Sequence, residues 1–75
     1  MTNFRNLKIQ INYQQPLDEV VEILESKGYK KYAWSNHENT VCVLTYENKG
    51  WMSDYNYFIK DNDFVLTTLS ELKEM

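Results

Sequence analysis

His37 and Cys42 are the two side chains in this sequence best suited to chemistry, and they flank one polar turn. A Cys–His pair forms a nucleophile when the imidazole takes the thiol proton. The plainer reading is that Cys42 is a packed strand residue, since free cysteine is among the most buried types, and that His37 is a solvated turn residue. One His and one Cys cannot complete a four-ligand zinc site. Asp61 and Asp63 resemble the start of a calcium loop, but the following Gly and the closing Glu are absent, so they read as turn formers. Gly28 and Gly50 are the only glycines, too few for a phosphate-cradling loop. No Ser–His–Asp grouping stands out, and no carboxylate pair has a spacing that suits acid–base work. The sequence therefore predicts no catalytic residue, no cofactor and no metal, and a protein that is not an enzyme.

Residues suited to binding are more numerous. Asp18, Glu22 and Glu25, with Glu19 beside them, make an acidic helix face. Such a face is ordinarily a solvated surface, but it could also meet a basic partner. Lys27, Lys30 and Lys31 cluster beside Tyr29 and Tyr32, and basic plus aromatic side chains can clamp a nucleotide. The simpler reading is a helix end followed by an edge strand protected by lysine. The chain also carries six Tyr, three Phe and two Trp.

These side chains are positioned by a short list of elements. Leu17, Val20, Val21 and Leu24 recur at helical spacing, with Ile23 widening the stripe. Pro16 suits the first helical position, Asp18 and Glu19 suit the first turn, and Gly28 is a left-handed stop after which Tyr29 can fold back onto Leu24. Before the helix, Leu7, Ile9, Ile11 and Tyr13 alternate with Lys8, Gln10, Asn12 and Gln14, which predicts a strand with one polar face. After it, Lys30 to Trp34 reads as a second strand with Tyr32 and Trp34 on one face. Ser35 to Asn39 reads as a polar turn. Thr40 to Glu47 is a third strand, with Val41, Val43 and Thr45 opposite Cys42, Leu44 and Tyr46. Asn48-Lys49-Gly50 reads as a hairpin loop. A fourth strand is expected within Trp51 to Ile59, centred on Tyr55 to Ile59, and Phe64 to Leu66 as a short extended piece. Thr68-Leu69-Ser70-Glu71 is a capping box that opens a last helix.

This β-α-β-β-β-α order predicts a two-layer α+β domain over residues 1–75, with a mostly antiparallel sheet and one main helix packed on one face. At 75 residues the chain is one domain, and its single cysteine forbids an internal disulfide. A lone cysteine without a signal-peptide pattern points to the cytoplasm. No apolar run approaches the ~20 residues of a membrane span. A net charge of −3 argues against non-specific nucleic-acid binding.

The third strand is apolar on both faces and needs cover on both, while the main helix can cover only one. Aromatic surface should therefore stay exposed on the other, where an apolar patch marks an interface. The expected patch is Trp51, Tyr55, Tyr57 and Tyr46, facing a host protein or a second copy of the chain; Glu22 and Glu25 are the expected contacts on the acidic face.

In whole-chain pattern the sequence resembles small accessory proteins encoded by bacteriophages. The resemblance rests on a short first strand, a helix ending in Leu24-Glu25-Ser26-Lys27-Gly28-Tyr29, a Tyr- and Trp-rich meander, and the closing Thr68-Leu69-Ser70-Glu71-Leu72-Lys73-Glu74-Met75. Those with assigned roles include anti-CRISPR and other anti-defence inhibitors. The resemblance implies a non-enzymatic inhibitor that binds a host defence component in the host cytoplasm, or alternatively one that sequesters a signalling nucleotide. It transfers no functional residue.

Overall fold

The stripe Leu17, Val20, Val21 and Leu24 winds into helix α1 (Leu17–Ser26) in the computed structural model, which describes residues 4–34 and 39–75. Val20 and Leu24 are fully buried. Pro16 stands one position earlier than its type suggests. It is the N-cap, at φ −65° and ψ 146°, and only its carbonyl joins the helix, accepting the Val20 N–H at 3.1 Å. The cause lies upstream, where Asn12 Oδ1 accepts the N–H groups of Gln14 and Gln15 at 2.9 and 3.0 Å. This Asx turn ends β1 (Leu7–Gln10) earlier than alternation predicts and leaves Tyr13 wholly in solvent. At the other end Gly28 takes φ 98°. The Tyr29 N–H reaches back to the Leu24 carbonyl at 3.1 Å and the Gly28 N–H to Glu25 at 3.0 Å, the paired bonds of a Schellman motif. Tyr29 is thereby folded into the core.

The remaining elements are β2 (Lys30–Lys31), β3 (Cys42–Tyr46), β4 (Trp51–Tyr55), β5 (Val65–Leu66) and α2 (Leu69–Glu74). They form one five-stranded sheet in the order β2-β4-β3-β1-β5. The central ladders β1·β3 and β3·β4 are antiparallel, and the short outer ladders β1·β5 and β2·β4 are parallel. The domain is thus α+β, with a mixed sheet and a fifth strand supplied by the extended piece around Val65. Strands β1 and β2 run in the same direction, as a β-α-β unit requires, but the β3–β4 hairpin lies between them. The fourth strand spans Trp51–Tyr55 rather than Tyr55 to Ile59, because the tight turn after Tyr46 starts the return strand at once. The polar turn expected at Ser35 to Asn39 falls outside the described residues up to Glu38, and His37 with it.

Both helices cover one face of the sheet. Leu7, Ile9, Val43 and Met52 meet Val20, Val21 and Leu24 of α1 and Leu69 and Leu72 of α2. Helix α2 opens on the expected capping box: Thr68 Oγ1 accepts the Glu71 N–H at 3.1 Å, and Glu71 Oε1 accepts the Thr68 N–H at 3.1 Å. The opposite face is not bare at its centre. The segment after β4 folds back across it and places Phe58 against Lys8, whose ammonium lies 5.4 Å from the ring centroid and donates to the Asp61 carbonyl at 3.1 Å. Lys8 is consequently only 8% exposed, so the face of β1 that looked polar is covered at Lys8, while Gln10 stays exposed.

The β3–β4 turn predicts one experiment. Gly50 sits at φ +69°, and a Cβ there would lie 2.4 Å from the Phe4 ring. Gly50→Ala should destabilise by about 1–2 kcal/mol from the left-handed backbone alone, with the Phe4 clash added. In a denaturant-melt double-mutant cycle, Phe4→Ala should relieve only the clash. An additive cycle would mean that Phe4 does not abut the glycine.

Candidate functional site

The hairpin register builds the site. Tyr46 pairs with Trp51, Leu44 with Ser53 and Cys42 with Tyr55, so these six side chains share the face turned away from the helices. Successive residues of a strand point to opposite faces, which sends Val43, Thr45, Met52 and Asp54 toward α1 and α2. Phe58 lies against Lys8, the neighbour of Leu44 in the register, the Ile59 backbone reaches Cys42, and the cover runs out beyond them. What remains is a groove of about 390 Å³ lined by Tyr32, Tyr46, Lys49, Trp51, Ser53 and Tyr55.

Its walls are aromatic pairs. Tyr32 stacks on Trp51 with ring centroids 3.7 Å apart and planes 8° from parallel. The hydroxyls of Tyr46 and Tyr55 meet at 2.8 Å, bridging the groove between β3 and β4. Tyr57 extends the patch, its ring edge-on to Tyr55 at 5.9 Å and 59% exposed. Phe64 closes the far side of Tyr46 at 5.5 Å. Tyr32 reaches this face by alternation: Lys30 is in register with Trp51 and Lys31 with Met52, so the next residue falls beside Ser53. Its N–H still donates to Met52 at 2.9 Å, but its carbonyl accepts the Ser53 hydroxyl at 2.7 Å. Ala33 then takes φ 52°, a left-handed conformation that costs a non-glycine residue about 1 kcal/mol. That turn breaks the alternation of the second strand. Tyr32 and Trp34 were expected on one face, yet Tyr32 faces the groove while Trp34 packs against the core beneath Lys31, 5.0 Å from its ring.

The structure therefore brings together Tyr46, Trp51, Tyr55 and Tyr57. It does not bring Glu22 and Glu25 to them. Those carboxylates are exposed on α1, in the layer on the other side of the sheet, where they border a shallow cleft with Trp34 and Lys31. The lysine–tyrosine cluster also disperses. Tyr29 lies in the core, its hydroxyl accepting the Arg5 N–H at 2.9 Å, and the Lys27 ammonium donates to the Met75 carbonyl at 2.6 Å. The sequence gives no sign of Ser53 as a site residue, and it groups Tyr32 with the lysine cluster rather than with Trp51. A loop of Asn48-Lys49-Gly50 alone would pair Glu47 with Trp51; the turn instead takes in residues 47–50 and pairs Tyr46 with Trp51, which sets the phase of β4.

Two titratable groups on this face, Cys42 and Tyr46, are shifted toward their neutral forms. Burial pushes the Cys42 thiol above its ordinary value, against weaker opposing pulls from the Ile59 backbone and Lys8. Burial, then the hydrogen bond to Tyr55, pushes the Tyr46 hydroxyl well above its ordinary value near 10. Asp61 and Asp63 form a turn, the Asp63 N–H donating to Asp61 Oδ1 at 2.9 Å. Among the described residues no group of three His, Cys, Asp or Glu side chains is placed to hold a metal, and no helix is long and apolar enough to cross a membrane. In comparison with known proteins, the chain matches no family model, no curated protein and no solved structure.

Two outcomes follow from the neutral groups. Cys42 is fully buried, and only the thiolate attacks thiol reagents, so labelling should be slow in the native protein and fast in denaturant. Rapid native labelling would contradict the packing. Below pH 10 the Tyr46 hydroxyl is protonated folded or unfolded and contributes no pH dependence. Above it the unfolded chain ionises first, so stability should fall as pH rises past 10 and fall less in Tyr46→Phe. Equal alkaline profiles for the two proteins would show that Tyr46 titrates freely.

Proposed function

We propose that this chain is a non-enzymatic interaction protein that binds a partner protein through the aromatic groove. Following the resemblance of its sequence pattern, we propose further that it is a phage-encoded inhibitor of a host defence component. The observation that carries the binding reading is the Tyr32–Trp51 stack beside the paired Tyr46 and Tyr55 hydroxyls. A folded core accounts for Leu24 or Val43, but not for rings left at a surface: Tyr32 is 50% exposed and Tyr57 59%. Tyr and Trp dominate binding hot spots because they offer large rigid area with a polar tip. Ser53 and Ala33 hold Tyr32 in place before any partner arrives, which lowers the entropy cost of docking.

Sequestration of a nucleotide is the second reading. The half-exposed Tyr32 ring with Lys49 beside it favours it, since a base stacks on any aromatic face and an ammonium attracts phosphate. The loss of Tyr29 to the core and of Lys27 to the Met75 carbonyl weighs against it.

Replacing Tyr57 and Tyr32 by alanine separates these ideas from a merely structural role. Each variant should keep its far-UV circular dichroism and melt cooperatively. Each should lose the wild-type partner in affinity capture from host extract, with about 30-fold weaker binding for a hot-spot truncation near 2 kcal/mol. Undiminished binding by both variants would overturn the groove as the docking surface. Quenching of Trp51 fluorescence by nucleotides, with no captured protein, would favour the second reading instead.

A further inference from the structure

The two edges of the sheet are defended unequally. Edge strand β2 consists of two exposed lysines, Lys30 and Lys31, the kind of charge that keeps a sheet edge from pairing with another chain. Edge strand β5 carries Val65 and Leu66, 65% and 56% exposed, with neither charge nor proline in the strand. Its backbone is half used. The Val65 N–H donates to Asn6 and the Thr67 N–H to Lys8, each at 2.9 Å. In a parallel ladder the groups between these face away from the partner strand, so the Leu66 N–H and carbonyl point outward along an open edge.

The surroundings of that edge have a definite sign. On the helix side, beneath Val65, lies a groove of about 650 Å³ between β5 and α2. Glu47, Asp63, Glu71 and Glu74 line it against one cation, Arg5. On the other side, Leu66 is in register with Lys8, whose ammonium is already occupied by Phe58 and the Asp61 carbonyl. The edge thus offers hydrogen bonds at its rim, carboxylates on one face and apolar surface on the other.

We propose that β5 is a second docking site, which accepts an extended segment of a partner protein with alternating basic and apolar side chains. The segment adds as a sixth strand beside Leu66. Because successive side chains of a strand point to opposite faces, its Lys or Arg residues fall over the groove toward Glu74 and Asp63, and its apolar residues fall beside Leu66. Strand addition of this kind takes affinity from main-chain bonds and specificity from alternate side chains. Strand β5 has only two residues, so the charge term supplies much of the affinity and makes it salt-dependent. A second copy of this chain fits poorly, since pairing β5 with β5 would bring acidic rims together. This site is separate from the aromatic groove, and Tyr32→Ala leaves it intact.

The test uses a short peptide of alternating valine and lysine and its valine–glutamate counterpart, titrated into the isotopically labelled chain. The lysine peptide should move the amide signal of Leu66 most, and raising the salt should weaken its binding. The glutamate peptide should bind at least about tenfold more weakly. Leu66→Pro removes the outward N–H without removing a bond to β1, and should abolish binding. Should that variant not fold, Glu74→Lys and Asp63→Lys decide the matter, because each reverses an exposed charge and should weaken the lysine peptide several-fold. Equal binding of the two peptides would overturn the proposal. So would an unmoved Leu66 amide, shifts centred on Tyr32 and Trp51, or a concentration-dependent dimer that Leu66→Pro dissolves.

Discussion

Strand β3 is buried on both faces, and the rest of the molecule answers to that constraint. Cys42, Val43, Leu44 and Thr45 are each at most 4% exposed. A small domain has few elements with which to cover two faces. Here the helices take one, joined through Leu69 and Leu72 on the same side as Val20 and Leu24. The other falls to an irregular segment that lays Phe58 over Lys8 and Phe64 against Tyr46. Irregular chain covers less area than a helix, and it leaves the Trp51 end of the hairpin open. The groove is the remainder of a core-covering problem, which explains why it is both apolar and rigidly framed.

Polar groups inside this layer fix its register. Thr45 is fully buried beside the helices, and its hydroxyl accepts the Leu7 N–H at 2.9 Å and donates to the Arg5 carbonyl at 2.6 Å. A one-residue slip of β1 against β3 would strand that hydroxyl and turn Ile9 out of the core. Gln15 does similar service between layers, donating to the Gln10 carbonyl at 2.6 Å and accepting the Leu69 N–H at 3.0 Å. It thereby ties the end of β1 to the start of α2. Among the described residues no buried side-chain nitrogen or oxygen lacks a partner.

Much of this was legible in the sequence wherever local chemistry decides. The α1 stripe, the Gly28 stop with its folded-back Tyr29, the hairpin at Gly50 and the Thr68 capping box all follow from residues within a few positions of one another. The facing pattern of β3 was legible for the same reason. What escaped depends on distant partners. The phase of β4 turns on a tight loop, and Lys8 looked solvent-facing because nothing nearby announces that Phe58 will cover it. Ala33 in a left-handed conformation has no propensity signal, and Ser53, which secures the turn through the Tyr32 carbonyl, lies far along the chain. The patch Tyr46, Trp51, Tyr55 and Tyr57 was named from composition and two-faced apolarity. Its geometry, and its separation from Glu22 and Glu25, required the sheet.

The sheet order has a kinetic consequence. Strand β1 lies between β3 and β5, so one of the earliest stretches of the described chain is seated between its middle and its end, with Leu7 paired to Val65. Closing such long loops costs entropy before any contact repays it, and folds dominated by distant pairings form slowly. The β3–β4 hairpin, whose turn is only residues 47–50, can close early. Until the later chain follows, β1 lacks its outer neighbour β5, and the face of β3 that carries Cys42 and Leu44 lacks the segment after β4 that folds across it. During synthesis the chain therefore passes through a stage in which one face of its most apolar strand is open, and its yield in the cell should depend on how quickly the covering segment and β5 follow.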